Sequence, residues 1–313
     1  MTEALSSARA FPRLSLGAVI TVGTFDGVHL GHRDLLARVT ARAATRRLPS
    51  LLVTFEPHPL EVVNPSAAPL LLTTSGERLE AVAESGLDYA VVLPFTADLA
   101  ALDPAAFVER ILLERFCLRE LLIGHDHGFG RGRAGDIHVL RKLGERHDFD
   151  VGVVDAVLID GAPVSSSAIR RAISYGDLEG ATRLLGRRYA FSGRVVHGNE
   201  RGRQLGYPTL NITLTSGRKL LPPAGVYAVL LHSERGSFGG MMNLGPRPTF
   251  GDSTLSLEVH LFETSGDWYD VQVRVEFVDR LRDTIRFDSP DALKSQLRAD
   301  EHAARAALTQ LEA

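Results

Sequence analysis

The chain has 313 residues, room for about two ordinary domains, and at 44% hydrophobic residues it can bury sizeable cores. A formal net charge of −3, with Lys142, Lys219 and Lys294 the sole lysines, removes the bulk electrostatic reason to expect a nucleic-acid partner. The lysine scarcity also excludes a Walker-type phosphate loop, because no Gly-Lys dipeptide occurs, and the single cysteine, Cys117, excludes an intrachain disulfide and a thiolate zinc site.

The opening MTEALSSARAF lacks a basic segment followed by an apolar run, and no stretch approaches ~18 uninterrupted apolar residues. A soluble, cytoplasmic protein with no membrane partner is expected. Up to about residue 160, short apolar runs alternate with helical patterns. AVITVGTF, SLLVTFEP, DYAVVLPF, RELLIG and FDVGVVDAVL read as strands covered on both faces, since they are apolar without strict alternation. Leu35, Leu36, Val39 and Ala43 recur at helical spacing, with Asp26 as the expected cap of that helix. DPAAFVERILLERF opens on an Asp-Pro helix start. This alternation predicts a doubly wound parallel sheet. PVSSSAIRRAISYGDLEGATRLLGR reads as helical and ends at a glycine.

From about residue 189 the pattern changes. YAFSGRVVHG, PTLNITL, GVYAVLLHS, FGGMMNLG, LSLEVHLF and VQVRVEFVDRL are strands separated by turn residues. Val271, Val273, Val275 and Phe277 alternate with Gln272, Arg274 and Glu276, the signature of a half-buried antiparallel strand. A polar helix closes the chain. The second domain is expected to be an antiparallel β-barrel or sandwich with a terminal helix, and the domains to divide as 1–186 and 187–313.

Three stretches carry chemistry. In TVGTFDGVHLGH, His29 and His32 lie at i and i+3 on one face of the first turns of a helix, where free N–H groups favour an anion. Gly31 between them leaves room for a nucleotide. Packing histidines and a metal pair are the other readings, although no third ligand is near in sequence. In SSSAIRR, Ser166, Ser167 and Arg170 start a helix after the last parallel strand and suit a second anion clamp, an ordinary cap being the alternative. Two clamps suit in-line displacement at a nucleotide α-phosphate, which needs positioning and charge neutralisation more than a covalent nucleophile. GRGRAG at 130–135 matches a dinucleotide fingerprint, with Asp155 about twenty residues on. It stands several residues beyond the strand end, so a loop over a nucleotide site is expected and a dinucleotide site is the rival.

GTFDGVHLGH, TFEPHP, LLIGHDHGFGRGRAGD and VSSSAIR, in this order, resemble the adenylyltransferase module of bacterial bifunctional riboflavin kinase/FAD synthetases. GRVVHGNERGRQLGYPTLNI, GVYAV, MNLGPRPTFG and LSLEVHLF resemble the riboflavin kinase module that follows it. The resemblance implies a Rossmann-like nucleotidyltransferase domain, a kinase barrel, and riboflavin, FMN and ATP as substrates with Mg²⁺. It implies that His29, His32, Ser166, Ser167 and Arg170 bind ATP phosphates, within a nucleotide site formed also by Gly23, Phe25, Asp26, Gly27, Gly31 and Asp126. In the kinase it implies Thr209 and Asn211 as Mg²⁺ ligands, Gly198, Arg201 and Gly202 beside ATP, and Glu258 as the base for the riboflavin 5′-hydroxyl. Thr209 and Asn211 alternate with Leu210, so both polar groups share a strand face. Glu56 and His58 of TFEPHP either meet a substrate or form a rigid proline-bounded turn. The chain departs from the family at Leu210, where alanine is usual, and at DWYD (267–270), where Asp-Leu-Tyr-Gly is usual.

Overall fold

The computed structural model describes residues 3–6, 16–125, 137–198, 206–246, 255–264 and 266–311. The chain forms two compact units, Met1–Ser166 and Ser167–Ala313.

In the first unit, β1 (Glu3–Ser6) and β2 (Ala18–Val22) precede helix α1 (Leu30–Arg46). Strand β3 (Ser50–Glu56) leads to the short α2 (Pro59–Val63) and to α3 (Ser75–Ala83), and β4 (Tyr89–Pro94) follows. Helix α4 (Ala97–Ala101) comes before a continuous helical segment made of α5 (Pro104–Phe107), a π turn (Val108–Leu113) and α6 (Glu114–Phe116). Strand β5 (Leu118–Gly124), helix α7 (Ile137–His147), strand β6 (Asp150–Val154) and a small hairpin of β7 (Leu158–Ile159) and β8 (Ala162–Pro163) complete it.

Six parallel strands stand in the order β1-β4-β3-β2-β5-β6. Five are the expected ones, and β1 is an addition at the edge. Period-2 geometry sends neighbouring residues to opposite faces. Ala18, Ile20 and Val22 of β2 pack with Phe107, Val108, Ile111, Phe116 and Leu140, whereas Val19 packs with Leu35, Leu36 and Val39 of α1 and with Val82 of α3. Both faces are therefore covered, which is why these strands read as continuous apolar runs. Asp103 caps α5 through its side chain and Pro104 holds the first helical position, as the Asp-Pro dipeptide predicts.

The run 163–187 is helical but broken into α8 (Ser166–Ser174) and α9 (Leu178–Leu185). Gly176 (φ +75°) turns the chain, and Asp177 caps α9 by accepting from Gly180 N at 2.8 Å. Strands β9 (Ala190–Val196), β10 (Leu210–Leu214), β11 (Gly225–Ser233), β12 (Gly236–Pro246), β13 (Leu255–Leu261) and β14 (Gln272–Arg282) then close into an antiparallel barrel, ordered β10-β13-β12-β11-β14-β9. Of the two architectures expected, the barrel is the one formed, and closure removes its sheet edges. Val273, Val275 and Phe277 are buried and Gln272 exposed, as the alternation predicts. Helix α10 (Pro290–Thr309) closes the chain, burying Ala304 against Ala228, Met241 and Phe262. The Arg282 guanidinium donates to both oxygens of buried Asp300 at 2.8 and 2.6 Å, fastening α10 to β14.

Candidate active sites

Strand order in the first unit reverses between β2, which leads to β3 and β4, and β5, which leads to β6. Ligands of open α/β sheets bind at the carboxyl ends of strands at such a switch point. The residues after β2 are Gly23 to His32, and His125 follows β5. Asp126 and the GRGRAG loop at 130–135 lie outside the described residues.

The turn after β2 is tightly held. Gly23 N donates to Val53 O at 3.0 Å, and a Cβ at Gly23 would stand 2.9 Å from the Phe25 ring. Phe25 (φ 49°), Gly27 (φ 86°) and Val28 (φ 39°) occupy left-handed backbone, and for a β-branched valine this is strained. Asp26 is not the helix cap that the sequence predicts. Its carboxylate is buried and turned away from α1, accepting from Leu72 N (3.0 Å), Thr73 N (2.8 Å) and Thr73 Oγ1 (3.0 Å), while Gly27 N donates to Thr73 Oγ1 at 2.9 Å. Three donors converging on one carboxylate outcompete a cap role, so the strained turn is set by a loop some 46 residues downstream.

His29 takes the cap position. Its Nδ1 accepts from His32 N at 3.3 Å, which leaves the proton of a neutral His29 on Nε2. The rings of His29 and His32 stack at 3.6 Å, and His32 also lies 4.6 Å from Phe25. The sequence spacing thus brings both imidazoles together over the N-terminus of α1. A Cβ at Gly31 would sit 3.3 Å from the His29 ring, so the glycine keeps that face clear. Ser166 Oγ donates to Asp26 O at 2.9 Å, tying the start of the serine segment to the same turn. Ser167 is exposed and Arg170 half-buried, on one face of α8 at i and i+3.

Arg78 was not foreseen. It is buried, donating to Thr24 O (3.3 Å), Phe55 O (2.9 Å) and the Glu56 carboxylate (3.0 Å), and so joins the ends of β2 and β3. A buried cation leaves no periodic signal; its companion, the Thr74–Glu77 capping box on α3, was legible as T-x-x-E. After the cis Glu56–Pro57 peptide, His58 caps α2, its Nδ1 accepting from Leu60 N at 3.2 Å.

In the second unit the register aligns a second polar cluster. Asn211 on β10 pairs with Glu258 on β13, which pairs with Asn243 on β12, and directly paired residues share a face. Leu210 pairs with Val259 on the opposite face, so the departure from alanine bears on packing. Thr209 directly precedes β10 and is half-buried, as are Asn211 and Glu258. A Cβ at Gly198 would fall 1.9 Å from the Asn211 side-chain nitrogen, so the carboxamide lies flat against that glycine. Ser256 Oγ donates to Glu258 Oε1 at 2.8 Å. His260 is hydrogen-bonded through Nδ1 to Pro208 O at 2.8 Å, and Tyr207 donates to Glu301 of α10 at 3.2 Å, bracing the Pro-Thr-Leu-Asn segment from two sides. In the DWYD loop, Trp268 is buried against Phe238, and Tyr269 stacks at 3.6 Å on His197, the neighbour of Gly198. Arg201, Gly202 and residues 247–251 of MNLGPRPTFG lie outside the described residues. Asn243 and Ser256 were not singled out from sequence, although period-2 counting from Glu258 places Ser256 on its face. Hydroxyl, carboxamide and carboxylate oxygens form a hard donor set that fits a magnesium ion, which takes one or two protein ligands and keeps water and phosphate oxygens for the rest.

A Rossmann-like unit with histidines over a helix N-terminus, followed by an antiparallel barrel with an Asn–Glu–Asn row, defines a two-domain nucleotide-dependent transferase. A family model for FAD synthetase matches residues 12–168, and one for riboflavin kinase matches 185–308. The bifunctional riboflavin kinase/FMN adenylyltransferase of Pseudomonas fluorescens is 42% identical over 291 residues, 93% of each chain. That of Escherichia coli K12 is 40% identical over 290 residues, 92% of each. A crystal structure described as a macrolide-efflux protein from Streptococcus pneumoniae superposes with a TM-score of 0.85 at 30% identity, covering 96% of this chain and 98% of that one. Among the described residues no helix is long and apolar enough to cross a membrane. The chain belongs to the bifunctional riboflavin kinase/FMN adenylyltransferase family.

Proposed function

We infer that the chain phosphorylates riboflavin to FMN and then adenylylates FMN to FAD, using ATP at both steps. The observation that carries this is collinearity: both family models match in order, and full-length relatives align over 93% of the chain. Residues 1–186 are assigned to adenylyl transfer and 187–313 to the kinase, and the enzyme to the cytoplasm.

In the kinase unit, Glu258 accepts the riboflavin 5′-hydroxyl proton as that oxygen attacks the γ-phosphate and ADP leaves. Thr209 and Asn211 hold Mg²⁺, which when bound neutralises charge on the ATP phosphates. Gly198 lies beside ATP, its missing side chain giving room for the Asn211 carboxamide. In the first unit, His29 and His32 donate to the polyphosphate at the α1 N-terminus, with Ser166 as a further anion contact. FMN phosphate then attacks the α-phosphate in line, and pyrophosphate leaves.

The test is incubation with riboflavin, ATP and Mg²⁺ followed by chromatography of the flavins. FMN and FAD are expected, and absence of both overturns the reading. Glu258→Gln should stop FMN formation yet convert added FMN to FAD, and His32→Ala should do the reverse.

A further inference from the structure

We propose that Ser256 is a positioning residue for the kinase reaction, holding one carboxylate oxygen of Glu258 so that the other is presented to the flavin hydroxyl. The inference rests on the reading of Glu258 as the base and extends it to a residue outside the motif.

Ser256 and Glu258 stand two apart on β13, so both side chains leave the same face of the strand. Ser256 is buried, and its Oγ–H donates to Glu258 Oε1 at 2.8 Å. The residue paired with Ser256 on β12 is Gly245. Among the described residues no other donor meets the Glu258 carboxylate. Oε1 thus accepts from Ser256, and Oε2 is assigned as the oxygen that takes the proton.

A glutamate has three side-chain torsions, and an unrestrained carboxylate beside two carboxamides samples several positions. A hydrogen bond from a buried neighbour selects one of them before substrate arrives. In the step itself the 5′-hydroxyl proton passes to Oε2, the oxygen forms its bond to the γ-phosphorus, and the β,γ-bridging bond breaks with its electron pair leaving on ADP. Ser256 keeps its own proton throughout and donates to Oε1 before and after the transfer. A misplacement of about 1 Å in such a group costs on the order of 100-fold in rate, which bounds the effect expected.

The test is steady-state kinetics of the full chain carrying Ser256→Ala, Ser256→Thr, Glu258→Gln and the Ser256→Ala/Glu258→Gln pair, with folding checked by thermal melts. Ser256→Ala should lower kcat for FMN formation by roughly 10- to 100-fold, with KM for riboflavin and ATP within about twofold and FMN adenylylation unchanged. Ser256→Thr, which retains the hydroxyl, should recover most of the rate. Any trace of FMN formation that long incubations at high enzyme concentration detect in Glu258→Gln should not fall further when the serine is also replaced, because the two residues act as one unit. A folded Ser256→Ala enzyme with full kcat, an equal loss in both backgrounds, or a threonine variant as slow as alanine overturns the proposal. If instead Glu258→Gln retains the kinase rate, the base assignment itself falls.

Discussion

Asn211 and Gly198 illustrate how one missing side chain shapes a site. The Asn211 carboxamide occupies the volume a Cβ at Gly198 would fill, at 1.9 Å from its nitrogen and 2.3 Å from its carbon. Such an overlap forces the Asn211 side chain out of its observed position in Gly198→Ala, on the strand where Asn211 pairs with Glu258. We expect Gly198→Ala to raise KM for Mg²⁺-ATP and lower kcat of FMN formation by at least tenfold, while the FMN to FAD step keeps its rate. Separate assays of the two reactions check this. In the first unit the residue-scale device is the reverse, a side chain that gathers backbone. Asp26 draws Leu72 N and Thr73 N onto its carboxylate and thereby holds the left-handed Phe25 and Val28 in place. A sequence reader assigns Asp26 to the nearest helix because caps are local. The donors that win lie in a distant loop, and nothing in the local spacing announces them.

At the scale of elements, strand identity was legible and strand closure was not. Alternation in VQVRVEFVDRL marks one buried face, but a sandwich and a barrel share that alternation; the register of β9 against both β10 and β14 closes the ring. Strand β1 escaped notice because EALS is four residues long and pairs only through β4. The break within 163–187 also departs from the single helical run read there, although Gly176-Asp177, a turn glycine followed by a cap, is the local signal for it. The barrel also contains a pH-sensitive tie. Tyr227 of β11 is buried, donates to Pro223 O and accepts from Arg280 Nε of β14 at 3.3 Å. Burial pushes its hydroxyl above the ordinary 10.0, and the nearby Arg280 guanidinium partly opposes this. A raised folded value means the neutral phenol is favoured by folding. The stabilisation is therefore complete below pH 10.0 and is lost as pH rises through the folded value. Denaturant melts should show stability falling above that pH. Tyr227→Phe should cost about 1 kcal/mol at neutral pH through the lost hydrogen bond and should flatten the alkaline fall. Tyr207, also raised by burial, leaves part of the slope in place.

At the scale of the whole molecule, the chain carries two sets of chemistry that share no residue. The His29–His32 pair and the Asp26 turn are built from β2, α1 and the loop before α3, whereas the Asn211–Glu258–Asn243 row is built from barrel strands alone. FMN is the product of the second set and the substrate of the first. Once released from the kinase barrel it is a small solute, and any competent adenylyltransferase unit can accept it, on the same chain or on another. We therefore expect complementation between variants. Glu258→Gln alone should make neither flavin from riboflavin, and His32→Ala alone should stop at FMN. An equimolar mixture of the two should produce FAD from riboflavin and ATP, with a lag that shortens as protein concentration rises, because FMN must accumulate in solution before the second site fills. Chromatographic time courses of the mixture decide the matter. FAD formation without a lag would require direct transfer of FMN between chains, and no FAD at all would mean that each site needs an intact partner within its own chain.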